Sequence, residues 1–243
     1  MTDGAPRGPA RFTTTRWDVV LATRGHGGDA RAALESLCAS YWFPLYAYAR
    51  RRGAAADDAQ DLVQGFFVVL LERGSFADAD PQLGRFRTFL LTAFQRHCSH
   101  EHARATAAKR GGGREILPFD TGDGERRYLL EPADERTPED EYERRWALAV
   151  LARSVDRLRD AAGDDGGRTA ALLPHVGGPG EARPYAELAE RLGTTEGAVK
   201  VAVHRMRRRL RALLRDEVAQ TVPSAASDAE IDDEIRRLFA ALT

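Results

Sequence analysis

Apolar residues recur at helical spacing along most of the chain, and no segment alternates apolar and polar residues as a strand would. Residues 32–53 carry one such stripe, interrupted by Pro44, which is expected to kink or divide the helix. Residues 56–74 carry a second stripe that starts on two acids and stops at a glycine. A third stripe begins at Phe86. These patterns predict an all-α protein.

Residues 184–215 predict two helices joined by a short turn. Gly193 follows the first apolar stripe as a C-cap, and Thr194 or Thr195 can cap the second helix. This arrangement is typical of a helix-turn-helix. The second helix carries seven cations and no carboxylate between residues 197 and 215, so it can meet phosphates and base edges. We expect DNA as its partner; the plainer interpretation is a solvated basic face.

Charge divides the chain into blocks, although the 243 residues sum to a net charge of only -1. Residues 83–114 hold seven cations against one acid, whereas residues 115–144 hold eleven acids against four cations. The second block predicts an acidic linker between two helical domains. The expected organisation is an N-terminal extension at 1–29, a helical domain at 30–114, the linker at 115–142, the helix-turn-helix domain at 143–217 and an acidic tail at 218–243.

The tail predicts one more amphipathic helix. Ser227 and Glu230 have the spacing of a capping box, and an apolar stripe follows them. Such a stripe can pack on its own domain, or the acidic helix can shield the basic helix of residues 197–215. Both alternatives remain open from the sequence.

Several classes of protein are disfavoured. The longest apolar run, residues 65–71, is too short for a bilayer, and the polar start lacks a signal-peptide core, so we expect a cytoplasmic protein without a membrane partner. The stretch "HCSHEH" puts Cys98 and His102 at i,i+4 spacing, but only these two point the same way, so we expect no metal. Without a phosphate loop or nucleophile elbow, we expect no enzyme and no cofactor.

Three stretches in order carry a resemblance to a known family. They are "DAQDLVQGFF" (58–67), "GRFRTFLLTAFQRH" (84–97) and "YAELAERLGTTEGAVKVAVHRMRRRL" (185–210). Together they resemble bacterial RNA polymerase sigma factors of the extracytoplasmic-function group. The resemblance implies a region 2 bundle, a region 4 helix-turn-helix, and core RNA polymerase and promoter DNA as partners. It leaves open an anti-sigma or other regulatory protein as a further partner.

The resemblance also implies three sets of contact residues. The set that docks on core polymerase is Asp58, Asp61, Leu62, Gln64 and Phe67. The set that binds the -10 element as a single strand is Asp80, Gln82, Arg85, Arg87, Thr88, Gln95, Arg96 and His100. The set that binds the -35 element is Thr195, Glu196, Lys200, Val201, His204, Arg205, Arg208 and Arg209. In this last set the first turns should read bases and the later arginines should hold phosphates.

The chain departs from the family pattern at two places. Gln60 stands where the family usually has an acid, and the Gly-rich residues 159–185 replace the usual approach to region 4. Two other functions therefore stay open. One is a stand-alone helix-turn-helix regulator that binds duplex DNA as a dimer, and the other is a sigma-like regulator of polymerase without promoter specificity.

Overall fold

A computed structural model describes residues 28–73, 85–107, 125, 128, 136–163, 165, 167–177, 182–222 and 226–243. The described residues are all-α, with no strand among them. The helices are α1 (Gly28–Arg51), α2 (Ala56–Arg73), α3 (Phe86–Ala107), α4 (Pro138–Ala162), α5 (Arg168–Leu172), a 3-10 turn (Leu173–Val176), α6 (Tyr185–Arg191), α7 (Glu196–Ala219) and α8 (Asp228–Ala240). Pro44 lies inside α1, and the helix continues through it undivided.

An aromatic core, which we call the main core, holds α1, α2 and α3 together. Tyr41 meets Phe86 edge to face at 5.5 Å between ring centroids, and Phe66 meets Phe94 in the same way at 5.2 Å. Offset and edge-to-face contacts of this kind add to the hydrophobic gain from burying large rings. Phe86 therefore belongs to the core, as its place on the apolar stripe predicts.

Helix α4 begins inside the segment expected to be a linker. Thr137 caps it with a capping box formed with Asp140, and Pro138 occupies its first turn, where a missing N–H costs nothing. The first half of α4 then enters the main core through Tyr142 and Trp146, both fully buried. The expected boundary between residues 142 and 143 thus falls within one continuous helix that packs along α1.

The second half of α4 contacts the helix-turn-helix. Val155 and Leu158 pack with Leu210 and Leu213 of α7. At the edge of this contact, Arg153 and Arg157 both bind the carboxylate of Glu217, at 3.1 and 3.0 Å. A further small cluster joins α5, α6 and the start of α7; its buried members are Leu172, Leu188, Ala189, Val199 and Val203.

Helix α7 continues from this small cluster into the main core. Leu214 and Val218 near its end are buried there, beside residues of α1 to α4. At about 1.5 Å per residue, its 24 residues span roughly 36 Å. One rigid helix therefore connects the helix-turn-helix turn to the centre of the bundle.

The tail is a helix, as predicted, and Ser227 and Glu230 form the expected capping box. Helix α8 packs on α4, on the end of α7 and on the start of α3, with Leu238 fully buried in the main core. Among the described helices, none is long and apolar enough to cross a membrane.

Candidate nucleic-acid interface

The turn between α6 and α7 has the geometry of a helix-turn-helix. Gly193 adopts φ +60°, a left-handed conformation that ends α6 and costs a residue with a Cβ more than a glycine. Two residues later Thr195 caps α7, its Oγ1 accepting from the backbone N of Ala198 at 3.2 Å. The cap is therefore at Thr195 rather than Thr194, and the turn fixes the direction in which α7 leaves.

The residues expected to bind the -35 element all lie on the solvent side of α7 or at its cap. This α7 row consists of Thr195, Glu196, Lys200, Val201, His204, Arg205, Arg208 and Arg209, and every member is exposed. Val201 stands out because half of a hydrophobic side chain is left in solvent. An exposed apolar side chain between cations suits a contact with a base edge such as a thymine methyl group.

Two members of the α7 row bind each other. The ammonium of Lys200 lies 2.7 Å from Glu196 Oε1, one helical turn away. This hydrogen bond raises the pKa of Lys200 and keeps it cationic. Because both groups are exposed, the pair can exchange for contacts with base edges at little cost.

The later arginines carry charge without acidic partners on their own helix until Asp216. One of them, Arg207, makes a contact within the protein: its Nη2 donates a hydrogen bond to the carbonyl of His175 at 2.7 Å. Arg205, Arg208 and Arg209 are exposed. Their spacing along α7 suits contacts with a phosphate backbone, which lend affinity without base preference.

A second polar face lies on α3. Thr88, Arg96 and His100 are exposed at intervals of one or two turns; these three residues are called the α3 row. Gln95 is half-buried beside it, and its Nε2 donates to Tyr48 and to Glu139 at 3.0 and 3.1 Å. The side chains of the α3 row are open to solvent, whereas the amide of Gln95 is already engaged.

The two arginines at the start of α3 are not open to a strand in this conformation. Arg87 is only 3% exposed and lies under α8 and α4, while Arg85 is partly covered by α8. Both contact the carboxylate of Glu234 in α8. Asp80 and Gln82, expected beside them, lie outside the described residues. A role of these four residues in -10 binding stays a prediction.

The residues expected to dock on polymerase differ in their exposure to solvent. Asp58 and Asp61 are exposed on the outer side of α2, where a basic partner could reach them. Leu62 is partly buried against the main core. Gln64 and Phe67 are buried, at 7% and 2% exposure, so their place in the bundle is structural in this conformation. The accessible part of this predicted site is the pair of carboxylates.

The histidine-rich stretch of α3 does not gather into a metal site. His97 is buried against Phe66, whereas His100 and His102 are exposed. Across the part of the chain that the structure describes, no three His, Cys, Asp or Glu side chains are placed to share a metal ion. Burial also raises the pKa of the Cys98 thiol to about 11, which disfavours the thiolate that a metal would need.

Sequence reasoning missed the acidic partners of the α3 arginines. Glu143 and Glu234 come 56 and about 150 residues after Arg87 in the chain, and no local pattern signals such a pairing. A partial signal existed for Glu234, since it lies on the same side of α8 as the apolar residues Ile231 and Leu238. A carboxylate on an apolar stripe needs a buried cation.

Comparison with known proteins yields no relative: no protein-family model matches the chain, and no curated protein or solved structure matches it.

Proposed function

We propose that the chain is an RNA polymerase sigma factor of the extracytoplasmic-function group, which binds core polymerase and directs promoter recognition and melting. The observation that carries the proposal is the α7 row, eight exposed residues on the capped second helix of a helix-turn-helix. The order of the three sequence stretches adds to it. In this proposal α1 to α3 act as region 2, and the second half of α4 with α5 to α7 acts as region 4.

The roles follow from chemistry and exposure. The first turns of α7 enter the major groove of the -35 element, where Lys200 can donate to guanine and Glu196 can accept from a cytosine amine. The later arginines hold the phosphates. The α3 row binds the melted strand, because cationic and hydroxyl side chains on one helix face can follow a single backbone. Asp58 and Asp61 face the basic clamp of polymerase.

The long α7 helix gives these roles a physical connection. Its exposed half would contact duplex DNA, and its last turns are buried in the main core that also holds α2 and α3. A rigid connection of this kind would fix the distance between the surfaces proposed for the two promoter elements. That distance is what a sigma factor must match to the spacing of its promoter.

Transcription in vitro tests the proposal directly. Core polymerase is incubated with a library of promoter fragments, with and without this chain, and run-off products are sequenced. We expect discrete products only when the chain is present. An Arg208→Ala/Arg209→Ala variant serves as the matched control, because it keeps the fold and removes two exposed cations. Run-off that is indifferent to the chain would exclude the sigma function.

A stand-alone regulator is the second candidate, and one observation favours it. Arg85 and Arg87, the cations nearest the expected -10 site, are engaged by Glu234, whereas the α7 row is open. A protein that binds only duplex DNA needs the α7 row exposed and has no need of free arginines at the start of α3. Analytical ultracentrifugation with a labelled duplex discriminates the two: a regulator should bind tightly as a dimer without polymerase, and a sigma factor should not.

A further inference from the structure

One carboxylate is placed at the start of α3 by the tail of the chain. Glu234 of α8 is 0% exposed. Its Oε2 lies 2.6 Å from Nε of Arg85, and its Oε1 contacts Nη1 of Arg87. Asp233, the preceding residue, approaches Arg85 at 3.8 Å. Helix α8 thus supplies two acids to the arginines at the start of α3, the helix to which the proposed function assigns the melted strand.

Helix α8 is held by apolar packing and by ion pairs, and its Ile231 and Ile235 are partly buried against the main core. Only Glu234 and Leu238 are buried among its residues. At its start, Asp228 and Asp232 both pair with Arg215 at the end of α7, the first at 2.7 Å. A helix of 13 residues is marginal in isolation, so docking is what keeps it folded in place. The ring contacts Tyr41–Phe86 and Phe66–Phe94 join α1, α2 and α3 to one another directly, so the packing of these three helices has contacts of its own.

We propose that α8 is an intramolecular inhibitor that must move away before the start of α3 can bind a single-stranded nucleic acid. A carboxylate and a phosphate offer an arginine the same acceptor geometry, so Glu234 and a strand phosphate compete for one guanidinium. The competition favours α8 while it is tethered, because the tether gives a high local concentration. This inference rests on the proposed function, which assigns the strand to α3.

The two arginines would respond differently to the departure of α8. Arg87 keeps Glu143, whose Oε2 lies 2.6 Å from its Nε, and it keeps the ring of Trp146. Arg85 loses both acids that the tail supplies. The cation gained by the strand site is therefore Arg85, and Arg87 stays part of the bundle.

The inhibition is selective for one of the two candidate surfaces. The α7 row is exposed while α8 is docked, and the acids of α8 contact only Arg215 on that helix, beyond the row. Releasing α8 should leave duplex binding through α7 nearly unchanged. The same variant protein should therefore bind a single strand more tightly than the wild type and bind a duplex with nearly unchanged affinity.

The experiment uses the full chain with Glu234→Gln, Leu238→Ala and both together. A fluorescein-labelled 12-nucleotide single strand of mixed sequence is titrated by anisotropy, and a labelled duplex is titrated in parallel. We expect the double variant to bind the single strand on the order of tenfold more tightly than the wild type, because a larger fraction is competent. Duplex affinity should change by less than about twofold.

Two controls separate displacement from a change of net charge. Asp160→Asn removes one exposed negative charge near the end of α4, about 25 Å along the helix from Glu143, and should leave single-strand affinity unchanged. Adding Arg85→Ala to the double variant should abolish the gain. Hydrogen exchange over residues 228–240 should rise in the double variant, and exchange over residues 86–104 should stay slow, which shows that the bundle remains folded.

The proposal is overturned if the double variant binds the single strand no better than the wild type. It is also overturned if the gain persists after Arg85→Ala, or if it comes without faster exchange in α8. Run-off transcription with wild-type chain is scored separately. If the wild-type chain gives no run-off but the double variant binds the single strand more tightly, the proposed sigma function is excluded and the inhibition by α8 stands. If the wild-type chain gives run-off but the double variant shows no tighter binding, the inhibition is excluded and the sigma function stands.

Discussion

The guanidinium of Arg87 lies 4.3 Å from the ring centroid of Trp146, so a cation of α3 rests on a fully buried indole of α4. The same guanidinium pairs with Glu143 and with Glu234. A single side chain therefore joins three helices that are remote in sequence. Its burial makes it a structural residue of the bundle.

Replacing Arg87 by Met should destabilise the protein by about 1–3 kcal/mol, because the fully buried carboxylate of Glu234 then keeps Arg85 as its remaining cation. Urea unfolding followed by circular dichroism measures the loss. The double variant Arg87→Met/Glu234→Gln should recover part of it, since the amide needs no cation. Simple addition of the two single losses would contradict the coupling of Arg87 to Glu234.

Two glycines at the turn should respond to alanine with opposite signs. Gly193 adopts φ +60°, so Gly193→Ala should cost about 1 kcal/mol although nothing lies within 4 Å of the added Cβ. Gly197 lies within α7, and its nearest neighbour for a Cβ is Thr195 Oγ1 at 4.0 Å. Gly197→Ala should therefore stabilise the helix by about 0.5–1 kcal/mol. Equal effects in thermal unfolding would contradict the left-handed turn.

The Cys98 thiol should be slow to react. Burial raises its pKa to about 11, so at pH 8 the thiolate fraction, and with it the alkylation rate, should be on the order of a hundredfold below that of a free thiol. Iodoacetamide labelling of a Cys38→Ser variant, followed by mass spectrometry, measures the rate. The same protein unfolded in urea is the control. Equal rates in the folded and unfolded protein would mean that the thiol is not buried.

Local signals explain what the sequence predicted well. Helix α2 is found at Ala56–Arg73, and its start on two acids and its end before a glycine had defined it within a residue. Gly193 and Thr195 lie at the predicted turn, and Ser227 starts the predicted tail helix. Each of these features depends on residues within four positions of one another, so the information is present in a short stretch of chain.

One local signal was outweighed by the charge count, and the contacts between distant parts of the chain could not be predicted from the sequence. The residues "TPED" at 137–140 are a capping box with a first-turn proline, yet the acidic count around them suggested a linker. A count of charge also cannot separate Arg96, which is exposed, from Arg87, which is buried. Arg87 is buried together with a partner carboxylate, that of Glu234, which lies in a helix near the other end of the chain.

Reversing the charge of Asp61 should weaken binding to core polymerase by at least about tenfold, since the proposed partner surface is basic. Asp61 is exposed on α2, so Asp61→Arg should keep native helicity in circular dichroism. Asp160→Arg, the same reversal at an exposed position of α4, should bind like the wild type. Native affinity in a folded Asp61→Arg variant, measured by surface plasmon resonance, would remove Asp61 from the docking site.

The last prediction separates the residues of α7 that read bases from those that hold phosphates. Lys200 lies in the first turns of the helix and pairs with Glu196 at 2.7 Å, so on DNA this pair must open to meet base edges. Lys200→Ala should therefore relax the preference at one position of the upstream promoter element, on the order of tenfold in discrimination. Other positions should keep their preferred base.

Arg208 lies two turns further along α7 and should act through charge alone. Arg208→Ala should weaken all promoters alike and reduce the salt dependence of binding by about one phosphate contact. Transcription from single-base variants of the upstream element, at two salt concentrations, measures both effects at once. If Lys200→Ala lowers every variant equally while Arg208→Ala changes the preferred base, then α7 enters the groove by its later turns, and the helix lies on DNA in the opposite direction.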